Sequence, residues 1–286
     1  MALPRRLWAQ NTPTDPNLVA LMSDIHITED RNMVRHDVKS PETFEAVRAR
    51  VLALPSRPAG VVVCGDCASH HGEVGDYATL VELLKPLREA GVSLHLVLGN
   101  HDDRGNFLKA LPDHAAQAAT DVEATGKFAS VWETAQANWF LLDSLVRPNS
   151  TPGRFGDAQL AWLAKALDAR PDKPALLVAH HHLATDYYIE HYRIRGLFDT
   201  PEFLDVVLPR KQVKAYIFGH LHRWAHGQTE GLPWVNIPST AWGSPAAEPT
   251  GFVTMQLRAD GATLQLDALD QKHAKHGDKI ELKWRT

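Results

Sequence analysis

Short apolar runs alternate with amphipathic segments along most of the chain. Five of these runs, each bounded by turn residues, predict buried β-strands: Leu18–Met22, Gly60–Cys64, Ser93–Leu98, Ala175–Ala179 and Ala215–Phe218. Segments whose apolar residues recur at helical spacing lie between several of these runs. Such an alternation of strands and helices predicts an α/β fold.

Three segments predict helices that cover the sheets. Ser40 can cap a helix that has Pro41 at its first position. Leucines recur at helical spacing within Leu80–Leu87 and again within Leu160–Leu167. We expect Pro86 to kink the second helix or to end it early, because proline lacks the amide hydrogen and clashes with the preceding turn.

Antiparallel strands are predicted in two further regions of the chain. Their apolar and polar residues alternate, or they flank a short polar turn: Phe128–Trp132, Trp139–Asp143, Phe252–Leu257, Thr263–Leu269 and Ile280–Trp284. Two mixed β-sheets packed face to face and flanked by helices satisfy this order. Since no repeat or long linker interrupts it, we predict a flexible N-terminal segment at 1–17 and a single domain at 18–286.

Composition narrows the classes of partner. The chain of 286 residues has 44% hydrophobic and 22% charged residues, as globular proteins do, and its formal net charge of -4 argues against a nucleic-acid polymer as partner. No apolar run reaches the roughly 18 residues of a membrane span. The N-terminus lacks the apolar stretch of a signal peptide, so we predict a cytoplasmic protein. The alternative is an exported protein whose signal has been trimmed.

A polar residue able to bind a metal follows each of the first five predicted strands. These residues are Asp24 and His26, then Asp66, then Asn100, then His180, and finally His220 and His222. Because ligands of α/β sheets bind beyond the carboxyl ends of the strands, we expect the five loops to meet at one site. Carboxylate, amide and imidazole ligands without a thiolate favour Mn, Fe or Zn.

The spacing within two of these blocks bears on how the ligands divide. Asp24 and His26 are two residues apart, so on an extended strand end they point the same way and can reach one metal. The same holds for His220 and His222, although a turn there would split them between two metals. His180 competes with its neighbours His181 and His182, and it is favoured because it directly ends its apolar run.

Taken in order, these blocks resemble a known signature. The series Asp24-x-His26, Gly65-Asp66, Gly99-Asn100-His101-Asp102, His180 and Gly219-His220-x-His222 is similar to that of the calcineurin-like metallophosphoesterase superfamily. The resemblance implies a four-layer αββα sandwich that hydrolyses phosphate esters with a hydroxide held between two divalent or trivalent transition-metal ions. The pattern is most similar to the bacterial cyclic-nucleotide phosphodiesterase branch. Ser69 stands where purple acid phosphatases carry an iron-binding tyrosine, which argues against that branch.

The resemblance also implies a role for each residue of the signature. The first metal would be held by Asp24, His26 and His222, the second by Asn100, His180 and His220, and Asp66 would bridge the two. His101 would face the scissile phosphate and stabilise or protonate the leaving oxygen. Asp102 would either orient His101 or cap the helix that follows.

The substrate is less well defined by the sequence than the chemistry. We predict substrate contacts from four residues close to the ligand blocks: His70, His71, Arg104 and His181. For the first three the alternative is a solvated loop position, and we expect specificity to depend on the loop 186–200 as well. The favoured function is hydrolysis of small phosphodiesters. The alternatives are a phosphomonoesterase of the same superfamily and a non-catalytic scaffold with the same fold.

Overall fold

The computed structural model describes residues 12–117, 119, 126–184 and 195–286. In chain order the strands are β1 Thr14–Met22, β2 Arg57–Val63, β3 Ser93–Leu96, β4 Ser130–Glu133, β5 Asn138–Leu141, β6 Ala175–Val178, β7 Val213–Phe218, β8 Ala225–Thr229, β9 Leu232–Asn236, β10 Gly251–Arg258, β11 Gly261–Ala268 and β12 Lys279–Lys283. The helices are α1 Ser40–Val51, α2 Val74–Glu89, α3 Arg104–Ala110, α4 Pro112–Ala115, α5 Asp157–Asp168 and α6 Thr200–Val207.

The described strands form two six-stranded mixed sheets. Sheet I has the order β12-β11-β10-β1-β2-β3, and sheet II has the order β4-β5-β6-β7-β9-β8. In sheet I, β1, β2 and β3 run parallel, whereas β10, β11 and β12 add antiparallel neighbours. In sheet II, β5, β6, β7 and β9 run parallel between the antiparallel edge strands β4 and β8. The parallel strands therefore bring their carboxyl ends to one edge of each sheet.

Three apolar layers hold the sandwich together. Residues of both sheets, among them Val19, Leu176 and Met255, interdigitate in the central layer. A second layer packs α1 and α2 against the outer face of sheet I, and a third packs α5 and α6 against sheet II. Alternate residues of β1 go to different layers, as the period of a strand requires: Val19 and Leu21 face sheet II, while Ala20 and Met22 face the helices. This arrangement confirms the predicted αββα sandwich.

Three boundaries differ from the prediction. β1 begins at Thr14, inside the segment predicted to be flexible, because Thr14 and Asp15 pair with the start of β2. Helix α2 continues through Pro86 to Glu89. Pro86 lies in the last turn of α2, so few residues follow the lost hydrogen bond. Lys39, and not Ser40, occupies the N-cap of α1, and Ser40 is already helical. Residues 1–11 lie outside the described residues.

Within the described ranges, no helix combines the length and the apolar character required to cross a bilayer.

Candidate metal centre

The loops after β1, β2 and β3 of sheet I meet the loops after β6 and β7 of sheet II. Two groups of donor side chains result, and within each group the donor atoms lie within 4.8 Å of one another: Asp24, His26 and His222 in the first cluster, and Asp66, His180 and His220 in the second cluster. All six residues are buried. Both clusters draw side chains from both sheets, so the centre exists only where the sheets are docked.

In the first cluster, a backbone contact orients the imidazole of His222. Its Nδ1 lies 2.7 Å from the carbonyl oxygen of Trp242. Since a carbonyl can only accept, Nδ1 carries the hydrogen and Nε2 presents its lone pair. That Nε2 lies 3.1 Å from Asp24 Oδ1 and 3.2 Å from His26 Nε2. The three donor atoms therefore converge on one point.

In the second cluster a backbone carbonyl orients an imidazole in the same way. His180 Nδ1 donates to the carbonyl oxygen of Cys64 at 2.8 Å, which leaves its Nε2 as the donor to a metal. Nε2 lies 3.2 Å from His220 Nδ1 and 3.3 Å from Asp66 Oδ2. The side-chain oxygen of Asn100 is 3.1 Å away, so the predicted ligand Asn100 joins this cluster.

Asp66 belongs to the second cluster and also approaches the first cluster. Its Oδ2 is 3.3 Å from His180 Nε2 in the second cluster and 3.7 Å from His26 Nε2 in the first cluster. Its other oxygen accepts the backbone N–H of His101 at 2.8 Å, which fixes the plane of the carboxylate. One carboxylate oxygen is thus within reach of both groups of donors.

These residues fit metal ions. For metal–ligand bonds of about 2.0–2.2 Å, neighbouring donors around an ion lie roughly 3.0–3.5 Å apart, and the separations within the clusters fall between 3.1 and 3.3 Å. In the described part of the chain, neither Asp24 nor Asp66 forms an ion pair with lysine or arginine. A buried carboxylate without such a partner needs positive charge from a neighbouring imidazole or from a metal ion.

Electrostatics points to the same requirement. Burial opposes ionisation of Asp66, but the imidazoles of His180 and His26 outweigh it and hold the pKa of Asp66 well below its usual range. Burial also opposes protonation of His180, but the carboxylates, Asp66 first, raise the pKa of His180 to about 9. Burial holds the pKa of His26 and of His220 well below the usual value. The two carboxylates thus attract positive charge to the point where the donors converge.

Five of the ligand candidates adopt the left-handed backbone conformation. The φ angles are 48° at Asp24, 47° at His26, 50° at Asp66, 67° at His220 and 52° at His222. This region costs energy for residues other than glycine, and such conformations concentrate at functional sites. The turn created by His220 and His222 sends His220 to the second cluster and His222 to the first cluster. The structure therefore agrees with the interpretation in which a turn splits His220 and His222 between two metals.

Two glycines allow the loops to approach one another closely. A side chain at position 99 would overlap the carboxylate and backbone nitrogen of Asp66, and one at position 219 would overlap Ser23 and Asp24. Each glycine leaves space for a ligand from another strand end.

The family model of calcineurin-like phosphoesterases matches residues 18–224, from the first predicted strand to just beyond His222. The chain belongs to the calcineurin-like phosphoesterase family. It is therefore a metal-dependent phosphoesterase, as the resemblance implied.

Relatives and solved structures agree with this assignment. The phosphoesterase is 27% identical over 240 residues to the 3',5'-cyclic adenosine monophosphate phosphodiesterase CpdA of Vibrio vulnificus, with 81% of each chain covered. It is 30% identical over 229 residues to a cAMP/cGMP dual specificity phosphodiesterase of Mycobacterium tuberculosis, covering 80% of this chain and 69% of the relative. A dimetal phosphatase from Danio rerio shares the fold, with a TM-score of 0.71 at 15% identity over 94% of this chain and 100% of the other.

His101 lies at the edge of the metal centre of the phosphoesterase. Its ring centroid is 5.3 Å from that of His26, and its Nδ1 donates to the carbonyl oxygen of His70 at 2.9 Å. His101 is half-buried, whereas the ligand candidates are buried. It is therefore placed beside the clusters without joining either of them.

Asp102 does not take either position that the sequence suggested. Its carboxylate accepts hydrogen bonds from the backbone N–H groups of Cys67, Ala68 and Gly99 and from the hydroxyl of Tyr77, at 2.8–3.1 Å. The hydrogen bond of His101 goes to His70 instead, and Asp103 caps α3. Asp102 therefore joins the loops after β2 and β3 and contributes through their positions.

Arg104 and His181 also differ from their predicted role as substrate contacts. Arg104 forms a two-pronged ion pair with the buried Asp143 at 2.6 and 3.1 Å and donates to the carbonyl oxygen of Leu145. His181 is fully buried behind the second cluster, its ring 4.7 Å from that of His220 and its Nδ1 2.8 Å from Ser144 Oγ. Local sequence could not reveal these partners, because both lie far along the chain.

His70 and His71 are exposed, and their role as substrate contacts stays a prediction. The ring of His70 lies 6.5 Å from that of His101, and the ring of His71 lies 6.4 Å from that of His70. Of the loop 186–200, residues 186–194 lie outside the described residues.

Trp242 is a site residue that the sequence did not suggest. Its ring stacks on that of His26 at 4.3 Å and lies 5.0 Å from that of His222, whose Nδ1 it also binds through its carbonyl. It follows β9, a parallel strand of sheet II that ends at the same edge as the ligand strands. Pro233 and Asn236 interrupt the apolar run of β9, so the run did not stand out.

Proposed function

We propose that the protein is a dinuclear phosphodiesterase that hydrolyses small phosphodiesters, with cyclic nucleotides as the first class to test. The observation that supports two ions in one centre is the position of Asp66. Its Oδ2 lies 3.7 Å from a donor of the first cluster and 3.3 Å from a donor of the second cluster. A carboxylate in that position would be shared by two cations.

The chain would hold the ions with the residues predicted from the sequence. Asp24, His26 and His222 would hold the first, Asn100, His180 and His220 the second, and Asp66 would bridge them. Bound there, two ions would lower the pKa of a water molecule and neutralise charge on a phosphoryl group. The backbone carbonyls that bind the far nitrogens of His180 and His222 keep these imidazoles oriented before any ion arrives.

His101 would assist the departure of the leaving group. Because its Nδ1 donates to the carbonyl oxygen of His70, its Nε2 is the atom that can hold a proton or give it to an ester oxygen. His101 neighbours the ligand Asn100 in sequence, and its backbone N–H binds the carboxylate of Asp66. The same loop thus sets the position of a ligand and of an acid.

Two features support a diester in preference to a monoester. Asn100 contributes a neutral oxygen, and Arg104, which would have favoured a doubly charged monoester, is engaged by Asp143. The two relatives described above act on cyclic nucleotides by name. A singly charged diester therefore suits the centre better than a dianion.

One comparison of substrates tests the proposal. Turnover of bis(p-nitrophenyl) phosphate, p-nitrophenyl phosphate and 3',5'-cyclic AMP should be measured as kcat/KM with one defined metal, and Asp66→Asn should be included as an inactive control. We expect the two diesters to be cleaved at least as well as the monoester. Strong preference for the monoester would refute the diester assignment. Absence of all three activities in a metal-loaded protein would favour the alternative of a non-catalytic scaffold with the same fold.

A further inference from the structure

A tight turn after β1 carries an arginine to the border of the metal centre. Arg35 and Val38 pair across the turn through both backbone hydrogen bonds, at 2.9 and 3.0 Å. The two residues between them, His36 and Asp37, have φ angles of 50° and 62°, as the tightest hairpin turns require. The backbone of Arg35 is therefore fixed independently of its side chain.

The side chain of Arg35 lies between two residues that border the centre. Its Nη1 donates to Ser69 Oγ, and its guanidinium carbon lies 5.7 Å from the ring centroid of Trp242. Trp242 stacks on the ligand candidate His26. Ser69 precedes His70, whose carbonyl orients His101. The guanidinium thus lies beside both the first cluster and the proposed acid.

A pKa shift agrees with this position. Burial lowers the pKa of His70, and the positive charge of Arg35 lowers it further. The guanidinium of Arg35 therefore lies near the ring of His70.

Most N–H groups of the Arg35 guanidinium are available to a ligand. Arg35 is half-buried, and it forms no ion pair with a carboxylate in the described part of the chain. Apart from the bond of Nη1 to Ser69, its guanidinium N–H groups donate to no described acceptor. The other arginines in comparable positions differ: Arg104 is bound by Asp143, and Arg31 on the same loop contacts Glu45 and Glu82. A half-buried guanidinium without a carboxylate partner is suited to an anion.

We propose that Arg35 is a substrate-binding residue whose guanidinium binds a phosphate oxygen of the ester. The inference rests on the proposed function, because it places the ester at the metal centre beside Trp242 and His70. The oxygen belongs either to the reacting phosphoryl group or to a second phosphate on the substrate. Either phosphate would present charged oxygens as acceptors to the N–H groups of the Arg35 guanidinium.

Kinetics of matched variants test this role. Arg35→Ala and Arg35→Lys should be compared with Arg31→Ala, a control on the same loop whose side chain is exposed and ion-paired elsewhere. We expect Arg35→Ala to raise KM for bis(p-nitrophenyl) phosphate by about 10-fold to 100-fold, the effect of losing a charge-assisted hydrogen bond. Lysine should restore part of the loss, since it keeps the charge but not the fork. Arg31→Ala should match the wild type, and all variants should keep their metal content and Tm.

A binding measurement without turnover separates the two sources of the oxygen. Calorimetry on the metal-loaded protein should compare the Kd of inorganic phosphate and of pyrophosphate between wild type and Arg35→Ala. Weaker binding of both ions places the guanidinium on the reacting phosphoryl group, and weaker binding of pyrophosphate alone places it on a second phosphate. Unchanged Kd values for both ions, within about two-fold, would overturn the proposal. Because calorimetry needs no turnover, that result is distinguishable from a failure of the proposed phosphodiesterase activity.

Discussion

The two sheets bring different chemistry to the same centre. Sheet I supplies every oxygen donor, from Asp24, Asp66 and Asn100, together with His26. Sheet II supplies imidazoles alone, from His180, His220 and His222. The negative charge of the site is therefore set by one half of the molecule, while the geometry is completed by the other. A change in sheet I should alter how strongly ions bind, and a change at the contact between the sheets should alter whether the donors meet.

Loss of the shared carboxylate should have the largest effect. Asp66→Asn keeps the size of the side chain and removes its charge, so both ions should bind more weakly and kcat/KM should fall by roughly 10⁴-fold or more. Metal analysis should show the content falling from near two per chain. His220→Ala, which removes one imidazole of the second cluster, should spare the first ion. An Asp66→Asn protein that retained two ions would refute the bridging role.

His101→Ala should separate chemistry from metal binding. We expect kcat to fall about 10²-fold to 10⁴-fold with the metal content unchanged, because the loss is that of a proton donor or charge stabiliser. His226→Ala, which removes an exposed histidine of β8, is the matched control and should stay close to wild type. Loss of metal in His101→Ala would instead make His101 a ligand.

The contact between the halves can be tested at Arg104. This residue begins α3 after sheet I, and its partner Asp143 follows β5 of sheet II. Arg104→Ala leaves a buried carboxylate without its main partner, so the free energy of unfolding should fall by about 3 kcal/mol in urea titrations. Arg170→Ala, which breaks the exposed pair with Glu133, should cost much less, because solvent screens that pair. Unchanged stability together with a raised KM would restore Arg104 as a substrate contact.

Removal of each ion should loosen the same contact by a slightly smaller amount. Since each cluster joins both sheets, ions bind the folded chain in preference to the unfolded one. At a free metal concentration of 100 times Kd, chelation should lower the free energy of unfolding by about 2.7 kcal/mol per ion. Thermal melts with and without chelator measure this loss as a shift in Tm. The shift should be much smaller in Asp66→Asn. Equal melting of the metal-loaded and chelated wild type would contradict the idea.

The smallest expected effect is the loss of stability at acidic pH that His95 causes. His95 lies in β3, and its ring stacks on that of Trp132 of β4 at 4.0 Å. Burial lowers the pKa of His95 from 6.5 to about 3. As the pH falls below 6.5, the unfolded chain takes up a proton that the folded chain refuses, so stability is lost. Between pH 7 and pH 5 this costs roughly 2 kcal/mol.

His95→Phe should remove that part of the pH dependence while keeping an aromatic ring on Trp132. Urea titrations of both proteins at pH 7 and pH 5 measure it. An unchanged pH dependence in the variant would show that His95 titrates normally.

The sequence was informative where function follows strand ends and uninformative where it depends on contacts between distant loops. The convergence of Asp24, Asn100 and His180 could be predicted, because each follows a buried apolar run and parallel strands end at one edge. The partners of Asp102 and Arg104 could not be predicted, since they are backbone amides from another loop and an aspartate on the other sheet. Trp242 belongs to no motif, and only the packing of β9 beside β7 brings it to His26.

The glycine at position 99 restricts how the protein can change. A side chain there would overlap Asp66, which belongs to a different loop, and part of the overlap is with the backbone of Asp66. No substitution within the loop of Gly99 can relieve that overlap, and a smaller residue at 66 would remove the shared carboxylate. In genetic terms Gly99→Ala should have no suppressor that keeps Asp66. A selection for restored activity should therefore return revertants to glycine alone.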